Sequence, residues 1–190
     1  MKLYLLRHGI TQGNRDNLYY GATDLPLLPE GIDELQQRRQ RFAYPTAGRY
    51  YTSPLQRTQQ TLRELYGDVP FTVVEDLREM NFGEFEMRTE EELRRDPAFL
   101  AWDNEHIATN ICPGGESFGG VQSRALAAIA PLLAVGEDAV CVIHGGVIAC
   151  MMTHWFPGGG FARWMPHPGT GWCVTVEDGK PVSYIAIPEE

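Results

Sequence analysis

The chain alternates between short apolar runs and longer segments that carry apolar residues at positions i, i+3 and i+4. Short apolar runs are typical of strands, and the second spacing is typical of helices with one buried face. This pattern predicts strands at 2–6, 49–52, 73–77, 139–143, 171–176 and 182–187. It predicts helices at 30–41, 54–66 and 117–135, the second of them with Ser53 as its N-cap.

This alternation of strands and helices predicts an α/β fold, a three-layer α/β/α sandwich with a mostly parallel central sheet. The last two predicted strands are joined by the turn sequence Glu177-Asp178-Gly179-Lys180, which favours an antiparallel edge. No repeat or interdomain linker interrupts the pattern, so we expect one domain over residues 1–190. The Pro- and Gly-rich stretch 156–171 is interpreted either as an irregular surface connection or as the border of a ligand pocket.

The charge of the chain excludes some classes of partner. The formal net charge of −9 at pH 7 disfavours binding to nucleic acid or to an anionic membrane surface, because both depend on basic patches. No run reaches the roughly 18 consecutive apolar residues of a membrane span, and the first residues lack the pattern of a secretion signal. An anionic ligand would therefore need a local positive pocket.

The four cysteines, Cys112, Cys141, Cys150 and Cys173, contain no Cys-x-x-Cys pair. Two of them stand in apolar runs, which favours buried free thiols over a disulfide or a metal site. Free thiols fit a reducing compartment, and we expect a cytoplasmic protein.

Charged and polar residues follow the first predicted strand directly. Arg7, His8 and Gly9 stand at its carboxyl end, with Thr11 and Asn14 shortly after. In open α/β sheets, ligands bind outside the carboxyl ends of the strands. A planar cationic guanidinium and nearby hydrogen-bond donors suit an oxyanion, although a single histidine at a strand end is more often structural.

Two further strand ends carry the same kind of residue. Arg57 falls on the first turn of the helix after the second strand, and His144 follows the buried run at 139–143. Each alone has a structural interpretation, as a solvated arginine or a satisfied histidine. Together with Arg7 and His8 they predict one convergent anion site, because helix N-termini at this edge also favour anions.

These segments resemble, in order along the chain, the motifs of the histidine phosphatase superfamily, also called phosphoglycerate-mutase-like. The resemblance covers residues 1 to about 155 and implies that superfamily's three-layer fold and its phosphoryl chemistry. Its five motifs are Arg7-His8-Gly9-Ile10-Thr11 with Asn14, Ser53-Pro54-Leu55-Gln56-Arg57-Thr58, Leu77-Arg78-Glu79-Met80-Asn81-Phe82-Gly83, Pro113-Gly114-Gly115-Glu116-Ser117 and His144-Gly145-Gly146.

The resemblance implies that His8 is the nucleophile, and that its second ring nitrogen keeps a proton through a backbone carbonyl such as that of Gly9. It also implies that Glu79 is the general acid and base; its sequence surroundings alone would favour an ordinary acidic side chain. Phosphate would be bound by Arg7, Asn14, Arg57 and His144. This chemistry implies no metal and no cofactor.

The length of the chain favours hydrolysis. Mutases of this superfamily are typically longer, with a segment that keeps water from the phosphoenzyme. We therefore expect a phosphatase acting on a small phosphorylated metabolite, with no nucleic-acid or membrane partner. The sequence does not determine the oligomeric state. The alternatives are mutase-type phosphoryl transfer and a non-catalytic domain that binds a phospholigand.

The sequence departs from the superfamily pattern at two places. Met87 stands where a glycine is usual, which puts the local turn in question, and Leu28 replaces a helix-capping Thr or Ser. In the segment that would cover the pocket, Arg88, Arg94 and Arg95 either touch a distal substrate group or are solvated.

The remaining histidines have no ligand-like spacing. We expect His106 and His167 in loops or at the surface, and His154 packed on a helix.

Overall fold

The computed structural model describes residues 1–103 and 106–188, and within them eight strands. They are Lys2–Arg7 (β1), Leu18–Tyr19 (β2), Arg49–Thr52 (β3), Thr72–Val73 (β4), Arg88–Thr89 (β5), Ala139–Ile143 (β6), Gly171–Glu177 (β7) and Lys180–Ile187 (β8). Six of them form the central sheet in the order β4-β3-β6-β1-β7-β8, and β2 pairs with β5 separately.

Eight α-helices connect these strands in the described part of the chain. They are Gln12–Arg15 (α1), Pro29–Arg41 (α2), Gln56–Tyr66 (α3), Glu90–Leu93 (α4), Pro97–Trp102 (α5), Phe118–Val135 (α6), Gly145–Trp155 (α7) and Phe161–Trp164 (α8). The predicted helices at 30–41 and 117–135 are confirmed to within one residue.

The sheet is mixed. β4, β3, β6 and β1 run parallel, whereas β7 is antiparallel to β1 and β8 is antiparallel to β7. The mostly parallel sheet with an antiparallel edge is therefore confirmed. β6 lies between β3 and β1 and is buried along its whole length, which agrees with its unbroken apolar sequence.

The two faces of the sheet carry separate hydrophobic clusters. Because side chains alternate along a strand, Cys141 and Ile143 of β6 pack with residues of α6 and α7, whereas Val140 and Val142 pack with residues of α2 and α3. The sheet thus has helices on both faces, and the predicted three-layer sandwich is confirmed.

Three predicted segments differ from the structure. The strand predicted at 73–77 is wrong: pairing with β3 ends at Val73, and Glu75–Leu77 is a 3-10 turn. The helix predicted from residue 54 begins at Gln56 with Leu55 as N-cap, because the Ser53 hydroxyl is used elsewhere. The stretch 156–171 is not wholly irregular, since it contains α8.

α6 is, in the described part of the chain, a helix whose length and composition would let it cross a membrane. Core helices of soluble proteins pass the same test, so this is weak evidence for a span. Here Val121, Ala125 and Ile129 of α6 are buried in the hydrophobic cluster against the sheet.

The cysteine prediction is confirmed: all four cysteines are buried, and none of them is in a disulfide within the described residues. Leu28, as expected, caps α2 without a side-chain hydrogen bond.

Candidate active site

The parallel pairing of β1 with β6 brings the two strand-end histidines together. Arg7 is paired with Ile143, and the His8 backbone N–H donates to the Ile143 carbonyl at 3.0 Å. The imidazole rings of His8 and His144 lie 5.3 Å apart between centroids, in a T-shaped arrangement. Both rings are buried at the carboxyl edge of the sheet.

The His8 ring is held in one orientation. Its Nδ1 lies 2.7 Å from the Gly9 carbonyl oxygen, and since that oxygen only accepts, Nδ1 carries the proton. The Gly9 backbone N–H donates to Thr61 Oγ1 at 2.9 Å, and that hydroxyl donates to the Arg57 carbonyl at 2.7 Å. The predicted contact of His8 with the Gly9 carbonyl is present, and the loop after β1 is also fastened to α3.

Burial lowers the pKa of His8 well below its ordinary value, and the positive charges of Arg57 and Arg7 lower it further, against the opposing Gly9 hydrogen bond. His8 is therefore neutral at physiological pH. Its Nε2 carries no proton in this tautomer and keeps its lone pair, and His8 lines the cavity described below.

Arg57 is fully buried and its guanidinium is held by backbone oxygens. Nη1 donates to the Thr23 carbonyl at 3.0 Å and Nη2 donates to the Gly21 carbonyl at 2.9 Å, while the guanidinium carbon lies 5.0 Å from the centre of the Tyr20 ring. Arg7 is held by the segment between α8 and β7, where the Pro166 carbonyl accepts a hydrogen bond from its Nη1 at 2.8 Å.

Both arginines keep donors unused. Burial lowers the pKa of Arg7 and of Arg57. The ordinary pKa of arginine is so high that both side chains nevertheless stay charged. Within residues 1–103 and 106–188, the buried Nε atom of each finds no hydrogen-bond partner. Both arginines line the cavity, where their positive charges suit an oxyanion.

His144 contacts Ser53, the residue that follows β3. Its Nε2 lies 2.7 Å from Ser53 Oγ, and its Nδ1 is buried with no partner among the described residues. Burial lowers the pKa of His144 well below the ordinary value, and the charge of Arg57 lowers it further. His144 is thus a second neutral imidazole.

Glu79 lies against the start of α7. Its Oε2 accepts the Gly146 backbone N–H at 3.1 Å and its Oε1 accepts the Met80 backbone N–H at 3.0 Å. A Cβ at position 146 would lie 2.6 Å from Oε1, so this approach needs a glycine there. Arg124 of α6 donates to the Glu79 carbonyl at 3.1 Å and so fixes the backbone that carries the carboxylate.

Asn14 lies on α1, at the wall of the same cavity. Its Oδ1 accepts hydrogen bonds from the backbone N–H and the hydroxyl of Thr11, both at 3.1 Å, while Thr11 caps α1. With the amide oxygen used in this way, the amide nitrogen is the atom left to donate to a ligand.

The cavity has a volume of about 850 Å³. Arg7, His8, Asn14, Arg57 and Glu79 all line it, whereas His144 is fully buried, packs against the His8 ring and does not line the cavity. The structure thus brings all six predicted site residues to one place. The wall beyond them is largely aromatic, and it is formed by Tyr19, Phe82, Trp102, Phe118 and Phe161.

The outer part of this wall decides between the two interpretations of Arg88, Arg94 and Arg95. None of the three arginines considered as distal contacts lines the cavity: Arg88 donates to Asp96 at 2.8 Å, Arg94 pairs with Glu90, and Arg95 donates to Glu91 at 2.9 Å. Instead Glu90 and Glu91 themselves lie at the rim.

The other histidines lie away from the site. His106 and His167 are exposed in loops, as expected. The prediction that His154 is packed is wrong, because it points to solvent near the end of α7. In the part of the chain that the structure describes, no group of three His, Cys, Asp or Glu side chains is placed to hold a metal ion.

Several residues that shape the site were not predicted. Ser53 was expected to cap a helix, and the roles of Thr61, Tyr20 and Arg124 had no signal beyond their proximity to motifs. Each acts on a residue far away in sequence; Ser53 and His144, for example, are 91 positions apart. Covariation between homologues is the signal that could reveal such pairs.

Comparisons with known proteins agree with this geometry. The model of the histidine phosphatase superfamily, branch 1, matches residues 3–183. The adenosylcobalamin/α-ribazole phosphatase of Escherichia coli K12 is 33% identical over 161 residues, which cover 80% of this chain and 77% of that protein. The probable phosphoglycerate mutase GpmB of Enterobacter sp. strain 638 is 30% identical, over 80% of this chain and 74% of that protein.

A solved structure shares the whole architecture. The α-ribazole phosphatase from Shigella flexneri superposes with a TM-score of 0.84 at 28% identity, covering 95% of this chain and 93% of that chain.

Proposed function

The chain belongs to branch 1 of the histidine phosphatase superfamily and is a phosphatase, and we propose that it works through a phosphohistidine on His8. Arg7, Asn14, Arg57 and His144 bind the phosphoryl group, and Glu79 transfers the protons. Two buried guanidinium groups supply the positive charge that the equatorial phosphoryl oxygens need in the transition state.

In the first half-reaction, Nε2 of His8 attacks phosphorus as the bond from phosphorus to the ester oxygen breaks. Glu79 gives its proton to that oxygen, so the leaving group departs as an alcohol rather than as a basic alkoxide. The Gly9 carbonyl accepts the Nδ1–H of His8 and stabilises the positive charge that develops on the ring.

In the second half-reaction, the Glu79 carboxylate takes a proton from water as the water oxygen attacks the phosphohistidine. The bond between phosphorus and Nε2 breaks, inorganic phosphate leaves, and His8 returns to its neutral tautomer with Glu79 protonated. Acid and base are thus one residue used in both directions.

One observation carries this proposal: the 2.7 Å contact between His8 Nδ1 and the Gly9 carbonyl, beside two arginines that keep buried donors unused. It leaves Nε2 unprotonated next to a site prepared for an anion.

The proposal is tested with p-nitrophenyl phosphate in EDTA-containing buffer, using wild type, His8→Ala and the matched control His167→Ala. We expect metal-independent release of phosphate by wild type and by the control, and none by His8→Ala. Acid quenching during turnover should trap an acid-labile phosphoenzyme in wild type alone. Full activity of His8→Ala, or loss of activity in EDTA that added metal restores, would overturn the mechanism.

We further propose α-ribazole phosphate as the substrate. Support comes from relatives named α-ribazole phosphatases and from the aromatic wall of the cavity, which suits a leaving group with a flat aromatic base. The superfamily's mutase activity is the weaker alternative, since the 33% identical relative and the solved structure with a TM-score of 0.84 are both named α-ribazole phosphatases.

Substrate choice is tested by comparing kcat/KM for α-ribazole phosphate, glycerol phosphate and 3-phosphoglycerate, and by assaying 2-phosphoglycerate formation. The variant Phe161→Ala, which shortens the half-exposed aromatic wall, should raise KM for α-ribazole phosphate and leave that for glycerol phosphate unchanged. Faster turnover of phosphoglycerate, or its isomerisation, would contradict the assignment.

The setting of the enzyme is part of the proposal. We propose one catalytic domain over residues 1–190, since the family match runs over 3–183 and all six site residues meet at one sheet edge. The four buried cysteines, none of them in a disulfide within the described residues, support a cytoplasmic location. The net charge of −9 supports a small phosphate ester rather than nucleic acid or membrane as the partner. Cell fractionation tests the location.

A further inference from the structure

The buried contact between Ser53 and His144 has a chemical consequence for phosphate binding. His144 has two ring nitrogens, and the structure pairs only one of them: Nε2 lies 2.7 Å from Ser53 Oγ, and Nδ1 has no partner among the described residues although it is buried. Ser53 and His144 are both fully buried, so water does not compete for this pair.

A neutral imidazole carries one proton, on one nitrogen or on the other. The oxygens of a phosphate dianion only accept hydrogen bonds. In the proposed function His144 binds the phosphoryl group, and Nδ1 is the ring nitrogen that Ser53 leaves unpaired. If Nδ1 were unprotonated, its lone pair would face the bound anion, and the contact would be repulsive. His144 can therefore assist phosphate only as the Nδ1–H tautomer, whose Nε2 must accept a hydrogen bond.

Ser53 is the donor that this tautomer requires. Its hydroxyl already accepts the Leu55 backbone N–H at 3.2 Å, which leaves its own proton free to be donated. The two acceptors in reach are His144 Nε2 at 2.7 Å and Thr58 Oγ1 at 3.1 Å. The Thr58 hydroxyl donates its own proton to the Leu55 carbonyl at 2.8 Å, so it has a hydrogen-bond partner even when the Ser53 proton goes to His144.

We propose that Ser53 is a positioning residue that donates its hydroxyl proton to His144 Nε2, holds His144 as the Nδ1–H tautomer, and so directs that N–H to the phosphoryl group. This inference rests on the proposed function for its catalytic consequence. Ser53 itself touches neither the substrate nor the reacting atoms. Partners that orient a ligating histidine in this way are worth about 10- to 100-fold in metal sites, and we expect a similar effect on kcat here.

The direct test is the 15N spectrum of histidine-labelled protein, in which protonated and unprotonated ring nitrogens are well separated. The His144 signals are assigned by comparison with His144→Gln, and inorganic phosphate is the bound probe. With phosphate, we expect His144 in wild type to be neutral and protonated at Nδ1. A signal showing the Nε2–H tautomer, or an imidazolium protonated at both nitrogens, would overturn the proposal.

Kinetics supply the second test. Ser53→Ala should lower kcat about 10- to 100-fold and give a mixture of His144 tautomers, and Ser53→Thr, which keeps the hydroxyl, should restore both. Thr58→Val removes a hydroxyl from the same turn without touching His144 and should keep the wild-type tautomer. Unchanged kcat and tautomer in Ser53→Ala would refute the role of Ser53.

The two proposals fail in different ways. If the phosphohistidine mechanism were wrong, His8→Ala would stay active, yet the wild-type spectrum would still report the tautomer. If Ser53→Ala did not fold, the wild-type spectrum alone would decide the question.

Discussion

Glu86 and Arg57 hold the same loop from opposite sides. The Glu86 carboxylate accepts hydrogen bonds from the backbone N–H groups of Gly21, Ala22 and Thr23, and at 2.6 Å from the Thr23 hydroxyl. The carbonyls of Gly21 and Thr23 in turn accept from the Arg57 guanidinium. The carboxylate therefore orients the carbonyl oxygens that hold Arg57, the arginine proposed to bind phosphate.

Replacing Glu86 with Gln should impair catalysis through Arg57. The amide would turn its own N–H groups toward backbone donors, so the loop would shift and misplace the guanidinium. We expect kcat/KM to fall by up to about 100-fold. Kinetics with p-nitrophenyl phosphate measure the effect, with Glu84→Gln, an exposed neighbour, as the control. Equal kinetics for the two variants would show that Glu86 has no positioning role.

Met87 adopts a left-handed backbone conformation with φ of 61°, and its N–H donates to the Tyr19 carbonyl at 2.7 Å. The departure from glycine seen in the sequence is therefore a strained residue in a preserved turn. Met87→Gly should raise the free energy of unfolding by about 1 kcal/mol, because glycine removes the steric cost of this conformation. Urea denaturation measures it.

Met87→Ala is the matched control for this substitution. It removes the same side chain beyond Cβ but keeps the strain, so it should give no stabilisation. A glycine variant no more stable than the alanine variant would contradict the assignment of strain.

Arg124 forms hydrogen bonds with three backbone carbonyls in the segment 76–79. Its guanidinium donates to the carbonyls of Asp76, Arg78 and Glu79, and it pairs with Glu116 at 2.8 and 3.0 Å. Arg124→Met keeps the aliphatic stem and leaves these acceptors unpaired. We expect a loss of about 2 kcal/mol in unfolding free energy and a lower kcat, because the backbone at Glu79 is released.

Arg95→Met is the comparison for Arg124, since Arg95 makes an exposed ion pair with Glu91. Exposed pairs contribute little, so this variant should unfold like wild type. If the two variants lost the same stability in urea denaturation, the partly buried hydrogen bonds of Arg124 would contribute no more to stability than an exposed ion pair.

The two buried histidines make stability depend on pH. The pKa values of His8 and His144 are lowered in the folded state by burial and by nearby arginines, whereas the unfolded chain titrates near the ordinary value of 6.5. Below that pH the unfolded state binds more protons than the folded state. The contribution of the two histidines to the unfolding free energy should therefore be fully present above pH 6.5. It should be lost as the pH is lowered through and below 6.5.

Thermal unfolding between pH 8 and pH 5, at matched ionic strength, measures this slope. His144→Gln removes one of the two titrating groups and should give a shallower decline over the same range. Stability that rose on acidification through this range would show that the histidines are charged in the folded protein.

The pattern of the sequence was sufficient for the main elements of the fold. The apolar run of β6 and the helical spacing of α2 depend on local periodicity, and both agree with the structure. Site residues such as Arg7, His8 and His144 could also be predicted from the sequence, because parallel strands place their carboxyl ends at one edge of a sheet. The role of Glu79 came from resemblance to a family, since its local sequence is that of an ordinary acidic segment.

Only the tertiary structure decided how these residues are held. The serine that was expected to cap a helix instead contacts His144, 91 positions away, and Glu86 organises a loop some 65 positions earlier in the chain. The strand expected at 73–77 stops early, because its neighbour β3 offers no further pairing. Hydrogen bonds between distant segments depend on which donor and acceptor atoms folding brings within about 3 Å of each other. No local period in the sequence encodes that distance.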